Sequence, residues 1–150
     1  MFVGMDFGTT NSGMSIYDGN KLTLIPLDPA NRNPYVARTA LYITNDSYVH
    51  IGRHATDTYY EQNLNRPSKF ERVRVGEIEQ TFAELPTFVR DVYINKDIYS
   101  PGRLFLSFKM GLSSPNYVGT IVGNHYYFLE DIIATYLYTV KYRAEQHLNQ

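Results

Sequence analysis

No cysteine and no tryptophan occur among the 150 residues. The missing cysteine excludes disulfides, thiolate metal sites and cysteine nucleophiles together. No apolar run reaches the ~20 residues that a membrane-spanning helix needs. The opening Met1-Phe2-Val3-Gly4-Met5-Asp6 lacks the basic start and small-residue cleavage site of a secretory signal. A soluble, cytoplasmic protein is therefore expected. Excess charge is missing too: 14 basic and 15 acidic residues leave a net charge of -1. That balance offers no electrostatic argument for nucleic acid or an anionic membrane as a partner. Lys69, Arg72 and Arg74 interleave with Glu71 and Glu77, a mixed surface and not a basic stripe.

What is present is a globular composition, 43% hydrophobic and rich in tyrosine (14) and phenylalanine (8), in a chain long enough for one modest core. Residues 2–7 read as a buried strand covered on both faces, because the run is almost entirely apolar. Residues 12–18 and 21–25 complete a three-stranded meander, with Asp18-Gly19 as a hairpin signal. Residues 26–34 read as a loop, 38–44 and 48–51 as paired strands, and Gly52 to about Gln62 as a helix. Glu71 to Val75 alternates like a strand, while 88–99 fits strand or helix. Ser100-Pro101 is a helix start, an N-cap serine followed by proline at the first helical position, and Gly111 a stop. Residues 117–122 and 125–128 suggest a hairpin. From Leu129 onward the apolar residues Ile132, Ile133, Tyr136, Leu137, Val140, Ala144 and Leu148 keep to one helical face.

Chemistry concentrates at Asp6-Phe7-Gly8-Thr9-Thr10-Asn11-Ser12. A carboxylate at the end of a buried strand is costly unless it is hydrogen-bonded or serves a cation. Gly8 permits unusual backbone conformations and close approach. Thr9, Thr10 and Asn11 add amides and hydroxyls, a set of donors that suits phosphate, and Asp6 suits magnesium, directly or through its waters. The plainer reading is a hairpin turn capped by Asp6. The residues alone leave both open.

The stretch Gly4-Met5-Asp6-Phe7-Gly8-Thr9-Thr10-Asn11-Ser12, followed by a strand and Asp18-Gly19, resembles the opening of the DnaK-type heat-shock chaperone family. That family lies within the actin, hexokinase and heat-shock ATPase superfamily. Later segments follow the same order: Thr39–Thr44, His50-Ile51-Gly52 with Ala55, Leu104–Gly111 and the last helix. The long connection over 66–100 resembles a diverged bacterial branch. The resemblance implies an α/β fold, the N-terminal lobe of a ribonuclease-H-like, actin-type ATPase domain, incomplete, with a mixed sheet and helices. About 1–37 would supply first strands of the larger subdomain and about 38–150 a small subdomain with its connecting helix.

The resemblance also implies roles. Asp6 would hold magnesium through water, and Thr9 and Thr10 would contact phosphate and the attacking water. Gly8 and Asn11 would give backbone contacts. Lys109, on the 104–111 segment, would stabilise charge on the transferred phosphoryl group. Read without the family, Lys109 is a lysine at the edge of an apolar stripe, extending to solvent. ATP or ADP would be the nucleotide, and the family's partners are unfolded client peptides, J-domain proteins and exchange factors.

Among the aspartates only Asp6 has a glycine two residues on, and no Gly-Gly pair exists. A second phosphate loop and an adenosine motif are thus not in this sequence. The last helix carries no stop signal before Gln150. The expectation is a piece of a longer protein, inactive alone. Two other classes stand beside the chaperone ATPase: a non-enzymatic scaffold or regulatory relative, and an actin-like filament ATPase. His50, His54 and Asp57 suggest a metal site only weakly, because the two histidines fall on different elements.

Overall fold

The computed structural model describes residues 1–80, 88–114 and 119–149. It is a mixed α/β structure with several antiparallel sheets and few helices. Two compact units emerge: Met1–Leu64 with Pro101–Gln150, and Asn65–Ser100. Among the described residues no helix is long and apolar enough to cross a membrane.

The first unit opens with β1 (Phe2–Phe7), β2 (Asn11–Tyr17) and β3 (Leu22–Leu24), an antiparallel meander. The short β4 (Ala37–Arg38) pairs with the start of β2, on the same edge that β3 uses further along. After the single residue Thr39 the chain continues as β5 (Ala40–Thr44), paired with β6 (Val49–Ile51). Helix α1 (Gly52–Asn63) follows, near the expected bounds.

In this unit the doubly covered strand is β5, and not β1 as its apolar run suggests. All five residues of β5 are buried. Leu41 and Ile43 join a core with Ile132, Tyr136, Val140 and Ala144 of the long helix α2 (Leu129–Leu148). Ala40 and Tyr42 face the other way, against Ala55 and Tyr59 of α1. By contrast Phe2 is 74% and Val3 57% exposed in β1. Hydrophobic runs report an affinity for burial, and which strand obtains cover is decided by where the helices pack.

The segment expected to be a helix from Ser100 to Gly111 is instead strand β9 (Gly102–Leu106) followed by a 3-10 helix, Phe108–Ser113. The reason is tertiary. A fully buried β5 needs partners for the backbone groups on both its edges. β6 serves one, and 102–106 serve the other, from Ala40↔Leu106 to Thr44↔Gly102. Gly102 fits this pairing because a Cβ there would stand 2.4 Å from the Ile43 carbonyl oxygen. β10 (Gly119–Val122) and β11 (His125–Phe128) form the expected hairpin, with 117 and 118 outside the described residues. The second unit is a ribbon of β7 (Phe70–Gln80) and β8 (Phe88–Asp97), which settles 88–97 as strand.

Candidate functional site

β1 and β2 pair as far as Phe7↔Ser12, so Gly8 to Asn11 form the connection between them. The Gly8 N–H donates to the Asn11 carbonyl at 3.1 Å. A side chain at position 8 would bring its Cβ to 2.3 Å from that oxygen, so the turn closes only on glycine. Gly8 is therefore structural here, and its amide is engaged within the turn.

Thr39 holds the loop from beneath. Its N–H donates to the Thr10 carbonyl at 2.8 Å and its hydroxyl to the Gly8 carbonyl at 2.9 Å. Ser12 Oγ lies 2.9 Å from Thr39 Oγ1. A hydroxyl has one proton, and Thr39 gives its own to Gly8, so Ser12 is the donor to Thr39. Both side chains are 2% exposed. The carbonyls of Gly8, Thr10 and Asn11 thus all receive internal donors. The Thr9 and Thr10 amides, by contrast, donate to no described residue. A turn with three of its carbonyls engaged and two of its amides without an acceptor among the described residues is disposed towards an anion.

Asp6 is exposed at the end of β1, opposite Gly13, and its carboxylate accepts no hydrogen bond from a described residue. An oxygen donor in that state fits a hard divalent cation bound through its own water shell. Lys109 reaches the same place from 102 positions further along the chain. Its Nζ donates to the Phe7 carbonyl at 2.6 Å and stands 5.3 Å from the Phe7 ring centroid. Ser107, in a left-handed conformation (φ 52), turns the chain out of β9. Phe108 then enters the core, with its ring 6.3 Å from Phe7 and 5.4 Å from Tyr136. Phe7 and Tyr136 stack at 5.8 Å. Three aromatic rings therefore fix the base of the loop and the root of Lys109. Burial pushes the Tyr136 phenol up, and its hydroxyl donates to the Arg38 carbonyl at 3.2 Å.

The structure thus brings Asp6, Gly8, Thr9, Thr10, Asn11 and Lys109 to one end of the β1–β2 pair. Sequence reasoning singled out Ser12 with the loop but missed the part played by Thr39 and Tyr136, which hold the loop without belonging to it. Their signal is faint: a threonine at the junction of two short strand stretches reads as an ordinary strand residue. His50 and His54 meet edge to face at 4.8 Å between ring centroids, while Asp57 is held by Arg53 at 2.8 Å.

A buried carboxylate was missed as well. Asp28, 1% exposed, accepts the Arg53 N–H at 2.7 Å and so caps the first turn of α1. Gly52 has φ +69 there, and a Cβ on it would fall 2.3 Å from Asp28 Oδ2.

No protein-family model matches this chain, and no curated protein matches it in sequence.

Proposed function

We propose that this chain supplies the first phosphate-binding loop of an ATP-binding and ATP-hydrolysing domain. The domain would be of the actin-type, ribonuclease-H-like architecture, in a cytoplasmic chaperone of the DnaK-type heat-shock kind. The observation that carries the reading is the loop's polarity. The Gly8, Thr10 and Asn11 carbonyls are occupied by Thr39 and by the turn's own amide, the Thr9 and Thr10 amides meet no acceptor among the described residues, and an amine from a distant segment is held at the Phe7 carbonyl.

In this reading the Thr9 and Thr10 amides and hydroxyls bind phosphate oxygens and orient the attacking water. Asn11 borders them. Lys109 already lies beside the loop, so its charge meets the developing negative charge without a costly rearrangement. Asp6 would hold magnesium through its waters, and the bound ion would neutralise phosphate charge. Lys109, Asp6 and Thr9 are the catalytic residues proposed, and unfolded clients, J-domain proteins and exchange factors the proposed partners.

The test is calorimetry and turnover on the full-length protein with Mg-ATP, against adenosine as a ligand without phosphate. Gly8→Ala should abolish Mg-ATP binding. Lys109→Ala should lower kcat by roughly two orders of magnitude or more, as when one preorganised electrostatic contact is removed. Unchanged turnover in Lys109→Ala would remove that residue from the site. Absence of any phosphate-dependent binding in the wild type would end the reading.

A further inference from the structure

Register assigns the side chains near the loop to faces. Residues directly opposite each other in an antiparallel pair project to the same face, and alternate residues to opposite faces. Ser12, Met14 and Ile16 of β2 take the inner face, with Phe7 and Ala37 opposite or beside them; Ser12, Ile16 and Ala37 are buried, and Phe7 and Met14 pack against the core. The outer face then holds Asn11 and Gly13 of β2, Asp6 opposite Gly13, and Arg38 opposite Asn11. Asp6, Asn11 and Arg38 are all exposed. Gly13 between them has no side chain, and the Tyr35 carbonyl oxygen lies 3.7 Å from where its Cβ would stand.

The Arg38 guanidinium meets no acceptor among the described residues. Arg53, Arg66 and Arg74 pair with carboxylates, Arg103 with the Thr120 hydroxyl and Arg143 with the Leu27 carbonyl. The Arg38 backbone is nevertheless fixed to the loop. Its carbonyl accepts from Tyr136, and the next amide donates to Thr10. A cation with no acceptor among the described residues thus grows from a rigid root beside a turn in which the Thr9 and Thr10 amides also meet no acceptor among the described residues.

We infer that Arg38 is a second cationic contact for a polyphosphate held at Gly8–Asn11, the phosphate chain of a nucleoside di- or triphosphate. This rests on the phosphate-loop reading and adds to it a residue outside the loop motif. Lys109 approaches at the Phe7 carbonyl and Arg38 beyond Asn11, so the two charges flank the turn and not one end of it. Two separated cations select a chain of phosphates over a single one. The planar guanidinium can engage two oxygens at once, which the lysine ammonium cannot reproduce.

The experiment is titration of the full-length protein with Mg-ATP, inorganic phosphate and adenosine, comparing wild type with Arg38→Ala, Arg38→Lys and Gly8→Ala. Arg38→Ala should weaken Mg-ATP roughly ten- to hundred-fold, leave inorganic phosphate and adenosine nearly unchanged, and keep the wild-type melting temperature. Arg38→Lys should recover only part of the loss. Wild-type Mg-ATP affinity in Arg38→Ala, with Gly8→Ala defective, overturns the role of Arg38 and spares the loop reading. Equal loss of all ligands, or a lowered melting temperature, makes Arg38 structural and overturns the inference. If the wild type binds no phosphate-bearing ligand, both fall.

Discussion

Thr39 ties the loop down through hydrogen bonds to Gly8, Thr10 and Ser12. Thr39→Val keeps the shape but strips the acceptor from buried Ser12 and the donor from the half-buried Gly8 carbonyl. Leaving buried polar groups unpaired costs about 1–3 kcal/mol. Thr39→Ser keeps the hydroxyl and should recover most of that loss. Denaturant unfolding of the two variants measures the difference, and equal stabilities would show that water replaces the hydroxyl. Gly52 offers a second test. Gly52→Ala places a methyl group on the Asp28 carboxylate and forces a left-handed φ on a residue with a side chain. A loss of about 2 kcal/mol or more is expected, since strain of ~1 kcal/mol adds to the disturbed cap of ~1 kcal/mol.

His50 makes stability depend on pH. Burial is the main cause that lowers its pKa, with the His54 and Arg143 charges adding to it. The unfolded chain therefore binds a proton at His50 more readily than the folded protein does. Its contribution to stability is complete above the ordinary histidine pKa of ~6.5 and falls as pH drops below that value. His50→Phe should flatten this part of the acid limb in melting temperature measured from pH 8 to pH 5. An unchanged limb would assign the effect to other groups.

At the scale of elements, β9 shows how a local signal loses to a backbone requirement. Ser100-Pro101 is a sound helix start taken alone, and Leu104, Phe105 and Phe108 can be spaced on a helix. The free edge of buried β5 outweighs both, because unpaired backbone groups there would each carry a desolvation cost. Gly102→Val should separate Gly102 from Ile43 and Thr44, destabilise the protein by several kcal/mol, and expose Tyr42, readable as a change in tyrosine near-ultraviolet circular dichroism. Helix α2 is the opposite case. Its stripe was legible because Leu129, Ile132, Tyr136, Val140 and Ala144 repeat at helical spacing and all bury. Each large member contributes about 1.5–3 kcal/mol from burial alone, so pattern and packing agree.

Across the whole molecule, the chain is divided by a ribbon set into the first unit's sequence. Ile98 N–H donates to the Lys69 carbonyl at 2.9 Å, and Arg66 pairs with Asp97 at 2.6 Å. The two ends of the ribbon are therefore adjacent. Replacing 70–97 by a two-residue turn should leave the thermal transition of the first unit within a few degrees of wild type, followed by helical circular dichroism at 222 nm. Collapse of that transition would show that the ribbon supports the rest of the fold.

Sequence alone determined the elements whose forces act between near neighbours. The meander with its glycine-threonine turn, helix α1, the β10–β11 hairpin and the α2 stripe all follow from turn chemistry or periodicity. It also singled out Asp6 and the Gly8–Asn11 loop, since glycine and hydroxyl residues cluster there within a few positions. Only the tertiary structure decided that β5 and not β1 is enclosed, and that 102–106 form a strand. It also decided that Thr39 and Arg38 border the loop, and that Lys109, which the resemblance had assigned to it, reaches it at the Phe7 carbonyl. Those outcomes depend on which backbone edges and apolar faces are left wanting partners once the helices have packed, and no window of neighbouring residues contains that information.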